Sequence, residues 1–177
     1  MNAAAPVRPR LLRGLVPLLA YQGIFLLAAV VWFPVLLWRL AFDRRYRASF
    51  RARTGRLPPL PKARRVWVHG VSVGEVKNLA RLVEAVAARH PDVDIVVSAT
   101  TPTGFDLARR LYPGRTVVQY PLDFGIFPGR ALDRVQPDCV LLMELEIWPN
   151  FLQAAARRQV PVVVVNGRIS ERSFRGY

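Results

Sequence analysis

The strongest constraint on the fold of this chain is an alternation of short apolar runs with segments of helical periodicity between residues 65 and 165. The run Val162-Val163-Val164-Val165 is apolar at every position, which is typical of parallel strands covered by helices on both faces. Between the runs, apolar residues recur every three to four positions, as in amphipathic helices. Because parallel strands need crossover connections, the alternation predicts an α/β fold with a Rossmann-like parallel sheet. The predicted strands span residues 65–69, 94–99, 116–120, 139–143 and 161–165, and the predicted helices span about 75–89, 103–111, 126–135 and 148–158.

An uncharged stretch of 24 residues precedes this region, from residue 15 to residue 38. A bilayer core of about 30 Å requires about 20 apolar residues in a helix, so residues 1–42 are predicted to hold a membrane-anchor helix. Pro17 and Pro34 leave open whether the anchor spans the bilayer or lies half-inserted in it. Seven arginines follow the stretch before residue 57 and three precede it. The positive-inside rule then predicts attachment to the cell inner membrane, with the following domain on the cytoplasmic face.

The distribution of charge indicates what kind of surface the protein meets. The formal net charge is +14, and residues 1–56 carry ten of the 26 basic residues but only one of the 12 acidic residues. Basic character is therefore concentrated beside the apolar stretch, which favours a membrane partner over a nucleic acid. Residues 43–62 are predicted to form a basic flank with a proline-rich linker, and residues 63–177 a Rossmann-like domain. One cysteine, two histidines and the lack of a G-x-G-x-x-G or Walker A motif give no reason to expect a metal or a cofactor.

The segment HGVSVGE, residues 69–75, lies between the first predicted strand and the first predicted helix. Its small residues allow a tight turn. Such turns line the crevice at the carboxyl ends of the strands, where open α/β sheets bind ligands. Glu75 falls in the first helical turn, where it could either complement the helix dipole or meet a substrate.

Two further loops are predicted at the same edge of the sheet. The segment TTPTG, residues 100–104, follows the second strand, and its hydroxyl and N–H groups could hold an anionic group or cap the next helix. Glu144 and Glu146 follow the fourth strand, where carboxylates are costly unless they are solvated or have a function. Because the carboxyl ends of parallel strands meet at one edge, Glu75 and Glu144 are expected to face the same crevice and to act there.

The glycines around Ser72 also match G-x-S-x-G, the nucleophile elbow of α/β-hydrolases. A serine nucleophile needs a histidine base, which in that fold follows the acid late in the chain. The only histidines are His69 and His90, and none follows residue 90. The hydrolase interpretation therefore requires a truncated α/β-hydrolase in which Ser72 would meet a histidine from beyond this sequence.

These segments together resemble the motifs of the 3-deoxy-D-manno-oct-2-ulosonic acid (Kdo) transferase family of lipopolysaccharide biosynthesis. The resemblance rests on HGVSVGE (69–75), TTPTG (100–104), YPLD (120–123), MELEIWPN (143–150) and NGRISERSFRGY (166–177). It implies a two-domain, inverting glycosyltransferase of the GT-B type that needs no metal. In such an enzyme the N-terminal domain receives a lipid A precursor, lipid IVA, and the C-terminal domain binds CMP-Kdo. Under this resemblance the chain is an N-terminal half without its donor domain, and it is not expected to catalyse transfer alone.

The resemblance also implies roles for individual residues. Glu75 matches the family's general base, and Glu144 matches its second carboxylate, which stabilises the transition state. A general base fits the chemistry, because a sugar hydroxyl is a poor nucleophile until a carboxylate takes its proton. A membrane-tethered binding module without catalysis remains the alternative, and it would need neither carboxylate. The residues predicted to bind the phosphorylated acceptor are Ser72, Gly74, Thr101, Thr103, Arg44, Arg45 and Arg47, the arginines because guanidinium groups suit phosphate.

Overall fold

Five strands form one sheet in the computed structural model, which describes residues 15–144 and 146–167. The strands are β1 (Arg65–Gly70), β2 (Asp94–Ala99), β3 (Thr116–Gln119), β4 (Cys139–Met143) and β5 (Val162–Val165). Their order in the sheet is β3-β2-β1-β4-β5, and every neighbouring pair is parallel. This arrangement confirms the predicted α/β fold with a parallel sheet, and each strand lies within one residue of its predicted bounds.

Six helices accompany the sheet in the described residues. They are α1 (Leu15–Phe42), α2 (Arg44–Arg53), α3 (Val73–Arg89), α4 (Pro102–Leu111), α5 (Phe127–Val135) and α6 (Pro149–Arg157). Helices α3 to α6 are the four that the sequence pattern predicts between the strands. Helix α2 is not predicted, because half of its ten residues are arginine and apolar periodicity is weak there. It begins at a local cap, since the Asp43 carboxylate accepts a hydrogen bond from the Tyr46 N–H at 3.0 Å.

The connections create a switch point between β1 and β4. From β1 the chain passes through α3 and α4 to β2 and β3 on one side, whereas α5 carries it back across the sheet to β4 and then β5 on the other. In open α/β sheets the crevice at such a point, outside the carboxyl ends of the strands, is where ligands bind. The loops that follow β1 and β4 therefore border the expected binding crevice.

The two faces of the sheet carry separate apolar cores. Trp67, Leu132 and Phe151 belong to the core that α5 and α6 cover, whereas Val68 and Leu79 belong to the core under α3 and α4. The edge strand β5 departs from this pattern, because Val163 and Val164 are 47% and 40% exposed. The expectation that helices cover the 162–165 run on both faces therefore does not hold within the described residues.

Helix α1 packs against the domain through its N-terminal half. The Gln22 side chain donates to Asn150 Oδ1 at 2.7 Å, and the Phe25 ring stacks on Phe124 at 5.6 Å. The rest of α1 exposes large apolar side chains, among them Trp32 and Trp38. None of the helices in the described part of the chain combines the length and the hydropathy that crossing a bilayer requires. The predicted membrane-anchor helix is thus not confirmed.

Candidate functional site

The turn after β1 brings helix α3 unusually close to the end of its strand. A Cβ atom on Gly70 would lie 3.1 Å from the Glu75 Cβ and 3.2 Å from the Val76 nitrogen. Only a residue without a side chain fits there easily, so Gly70 allows α3 to begin directly at the crevice. Glu75, in the first turn of α3, consequently lies at the switch point, as expected.

Hydrogen bonds hold both oxygens of the Glu75 carboxylate. Oε2 accepts from the Val71 N–H at 2.8 Å, and Oε1 accepts from the Ser72 hydroxyl at 2.8 Å. The Ser72 hydroxyl in turn accepts a longer bond of 3.4 Å from the Glu75 N–H, which makes a variant of the capping box. Ser72 is therefore a helix cap. A carboxylate offers about four acceptor positions, so this one is fixed in orientation and retains capacity to take a proton.

The loop after β4 carries two more carboxylates, of which the first, Glu144, lies on strained backbone. Glu144 has a φ of 62°, in the left-handed region that residues other than glycine rarely adopt. Its N–H donates to the Val165 carbonyl at 2.8 Å, which holds this conformation in place. Two residues later, Glu146 accepts a hydrogen bond from the Trp148 indole at 2.9 Å. Strain of this kind is concentrated at functional sites in proteins.

Glu146 lies in a negatively charged environment. Burial raises the pKa of Glu146, and the nearby charges of Glu75 and Glu144 raise it further, while the hydrogen bond from Trp148 opposes the shift. Glu75 and Glu144, which the sequence places at one edge, are thus both close enough to affect Glu146, a residue that sequence reasoning noted without assigning it a role. Within the described residues, no group of three or more His, Cys, Asp or Glu side chains is arranged to hold a metal ion.

Thr101 joins the loops that follow β1 and β2. Its hydroxyl donates to the Val71 carbonyl at 3.1 Å and accepts from the Gly104 N–H at 3.1 Å, so it caps α4 and fixes the neighbouring turn. The Thr101 hydroxyl therefore makes two hydrogen bonds within the protein, one as donor and one as acceptor. Thr103 and Gly74, by contrast, lie exposed in the first turns of α4 and α3.

His69 is fully buried at the end of β1. Its Nδ1 lies 2.9 Å from the Ser98 hydroxyl, and its ring stacks on Tyr120 with centroids 3.7 Å apart. Burial lowers the pKa of His69 to about 3, so the ring is neutral at physiological pH. His90 ends α3 at the far end from Ser72. Neither histidine contacts the Ser72 hydroxyl in the described part of the chain, so the geometry gives a serine nucleophile no base.

Asp123, in the YPLD segment, determines where α6 begins. Its two carboxylate oxygens accept from the backbone N–H groups of Asn150 and Phe151 at 3.0 and 2.6 Å. Trp148 occupies the N-cap position of α6 and supplies no side-chain bond, so Asp123 caps this helix from a distant loop. It therefore anchors the end of the segment that carries Glu144. Sequence reasoning missed this role, although a tryptophan at an N-cap signals that another residue must supply the cap.

Arg53 is a second residue that sequence reasoning missed. It ends α2, and its carbonyl accepts from the Leu122 N–H at 2.8 Å, which brings it to the carboxyl edge beside His69. Burial lowers the pKa of Arg53, its Nε has no hydrogen-bond partner, and it forms no ion pair within the described residues. A half-buried charge without a counter-ion has a desolvation cost. An anion bound to the Arg53 guanidinium would offset that cost.

The predicted acceptor-binding arginines, Arg44, Arg45 and Arg47, lie in the N-terminal half of α2. Arg47 donates to the carbonyls of Leu40 and Ala41 at 2.8 and 2.6 Å, so it caps the C-terminus of α1. Arg44 is exposed, and the side chain of Arg45 is outside the described residues. Leu145 and residues 168–177 of the quoted motifs are also outside them. Among the described side chains, Arg44 and Arg47 form no hydrogen bond or ion pair with the carboxylates at the sheet edge.

Comparison with known proteins gives one consistent result. Residues 48–177 match the family model described as 3-deoxy-D-manno-octulosonic-acid transferase (kdotransferase). Curated relatives with the name 3-deoxy-D-manno-octulosonic acid transferase include the protein of Bordetella pertussis, which is 37% identical over 89% of this chain and 38% of its own length. The protein of the same name from Chlamydia pneumoniae is 32% identical over 85% of this chain and 35% of its own length. The protein of Haemophilus influenzae is 34% identical over 66% of this chain and 28% of its own length. The chain spans about a third of the length of the curated relatives it matches.

Proposed function

Because this chain belongs to the 3-deoxy-D-manno-octulosonic-acid transferase family, we propose that it is the acceptor-binding, N-terminal domain of an inverting GT-B glycosyltransferase that transfers Kdo from CMP-Kdo to lipid IVA. The observation that carries this proposal is that Glu75 and Glu144 follow the two strands that flank the switch point of the sheet, where both carboxylates are close enough to Glu146 to raise its pKa. The donor would be bound by a second domain outside these 177 residues, so we expect no transfer from this chain alone.

In the proposed reaction, an acceptor hydroxyl attacks the anomeric carbon of Kdo as the bond from that carbon to the phosphate oxygen of CMP breaks. Glu75 takes the hydroxyl proton, and CMP leaves with the bonding electrons. The fixed orientation of the Glu75 carboxylate supports this role, because a base must be positioned before it is effective. Glu144 would stabilise the positive charge that develops on the sugar ring. Glu146 adds to the negative potential there.

The acceptor carries phosphate groups, and the proposal needs a cation to meet them near the carboxylates. Arg53 fits this role best, since its guanidinium lies at the carboxyl edge without a counter-ion in the described residues. We include the exposed apolar side chains of α1 as the part that contacts the cell inner membrane from its cytoplasmic face. Such contact would keep the crevice at the surface where a lipid acceptor resides.

The proposal is tested by assaying Kdo transfer from CMP-Kdo to lipid IVA, with the protein expressed from the complete reading frame that encodes this chain. We expect Glu144→Gln to lower turnover by about 10²-fold, the usual effect of removing one group that stabilises transition-state charge. The control is Glu84→Gln, an exposed carboxylate on α3 that should have no effect.

Two outcomes would contradict the proposal. A protein that binds lipid IVA but transfers no Kdo would be the non-catalytic module instead. Normal turnover by Glu144→Gln would remove the second carboxylate from the mechanism, whatever the role of Glu75.

Attachment to an anionic membrane gives a separate prediction. Arg44, Arg45 and Arg51 should be replaced by Gln, leaving Arg47 in place because it caps α1. Each arginine near an anionic surface contributes about 1 kcal/mol, so partitioning into anionic vesicles should weaken by about a hundredfold. Added salt should weaken wild-type binding in the same direction.

The matched control removes the same net charge from the domain. Arg81, Arg89 and Arg109 are all exposed on α3 and α4, and their replacement by Gln should change vesicle binding far less. Equal loss in both triple variants would mean that overall charge, and not the flank, drives membrane binding.

A further inference from the structure

A surface cavity of about 720 Å³ lies between the linker that follows α2 and helix α5. Residues 55–58 form one wall, and Arg130, Asp133 and Arg134 form the other. The volume falls within the range of about 300–1,000 Å³ that is usual for small-molecule sites. The cavity is thus large enough for a phosphorylated small molecule or a lipid headgroup.

Tight packing fixes the shape of this cavity. Gly55 has a φ of 76°, and a Cβ atom there would lie 2.7 Å from both the Arg130 Cβ and the Phe127 carbonyl oxygen. The linker backbone therefore rests directly on α5, as only glycine permits. Leu57 is buried and belongs to the core beneath the linker. The wall is consequently part of the packed domain.

The charges around the cavity are strongly unbalanced. Arg56, Arg130 and Arg134 are exposed, and none forms an ion pair within the described residues. Asp133 is the one acidic residue of the lining, but both of its oxygens are bound by Arg158, at 2.7 and 2.9 Å. That paired interaction lowers the pKa of Asp133 and offsets its charge. Three positive charges are left facing the same space.

The placement of the arginines on α5 adds to this imbalance. Arg130 and Arg134 are four residues apart, so they lie on the same face of the helix, where like charges repel. The cavity is also distinct from the carboxylate crevice. Arg65, at the start of β1, donates to the Val135 carbonyl, so the end of α5 that carries Arg134 lies at the opposite, amino edge of the sheet.

We propose that this cavity binds a phosphate-bearing anion through Arg56, Arg130 and Arg134. Guanidinium groups bind phosphate with paired, charge-assisted hydrogen bonds, and a bound phosphate would relieve the repulsion among them. The anion comes from an anionic lipid headgroup or from a soluble phosphate compound, which share this chemistry. The inference does not depend on Kdo transfer.

The test measures binding to the 177-residue chain of two probes, inorganic phosphate and phosphatidylcholine vesicles with and without phosphatidylglycerol. The first variant combines Arg130→Gln with Arg134→Gln. The second variant is Arg56→Gln alone; Arg56 lies outside any helix, so this variant remains informative if the first folds poorly. The control replaces Arg109 and Arg110, two exposed arginines of α4, by Gln. We expect the cavity variants, and not the control, to weaken binding by about tenfold or more.

The two probes distinguish the sources of the anion. Weaker binding of inorganic phosphate by the cavity variants supports a soluble phosphate ligand, and loss confined to the phosphatidylglycerol vesicles supports a lipid headgroup. Wild-type affinity of the cavity variants for both probes, or equal losses in the Arg109 and Arg110 control, would overturn the proposal.

Discussion

Replacing Glu75 by Gln is expected to lower the turnover of Kdo transfer by about 10²–10⁴-fold, the contribution usually made by general-base catalysis. Glutamine has nearly the same shape, and its side-chain oxygen can still accept one of the bonds from Val71 and Ser72. What it loses is the ability to take a proton. Acceptor binding should therefore be largely retained, so the effect should be seen in kcat and much less in KM.

Ser72→Ala is the informative companion to this variant. Loss of the cap should cost about 1 kcal/mol of stability and leave one oxygen of Glu75 without its hydroxyl donor. Turnover should fall far less than in Glu75→Gln, because the Val71 N–H still orients the Glu75 carboxylate and no acyl-enzyme is formed. Abolished activity in Ser72→Ala together with normal turnover in Glu75→Gln would be the opposite ranking, and it would return Glu75 to the role of a capping carboxylate.

Acidification is expected to destabilise the domain through His69. Its pKa is lowered from 6.5 to about 3 by burial, so between these values the unfolded chain binds a proton that the folded chain does not. The contribution of His69 to the free energy of unfolding is therefore fully present above pH 6.5. Below that pH the free energy of unfolding should fall by about 1.4 kcal/mol for each pH unit, until pH approaches 3. The measurement is urea unfolding of the chain in neutral detergent at a series of pH values.

Two controls isolate this effect. His69→Gln should remove the histidine part of the slope, whereas His90→Gln, at an exposed position, should retain it. If His69→Gln fails to fold, proton NMR of the wild type serves instead, because the chain has only two histidines. The His69 ring signals should not titrate between pH 5 and 8. Titration of both histidines in that range would refute the neutral, buried state.

The arrangement of the elements follows closely from local patterns in the chain. Apolar runs and helical periodicity predict the strands within one residue, because each pattern depends on neighbours in the sequence. The carboxyl-edge position of Glu75 and Glu144 follows as well, since parallel strands all end at the same side. Helix α2 is the exception among the helices. Its arginines obscure any apolar period, although Asp43 supplies a local cap.

What a side chain does at the edge of the sheet depends on distant packing, and the sequence alone leaves this open. Thr101 is equally compatible with ligand binding and capping until its bond to Val71 is known. Asp123 acts as a cap only because α6 begins beside it, 27 residues along the chain. Sequence by itself thus determined the strands, the inter-strand helices and the shared edge of the carboxylates, because these depend on short-range patterns and chain order. Only the tertiary structure decided the neutral state of His69, the lack of a counter-ion for Arg53 among the described residues and the exposure of β5, because burial and counter-ions are set by which elements pack together.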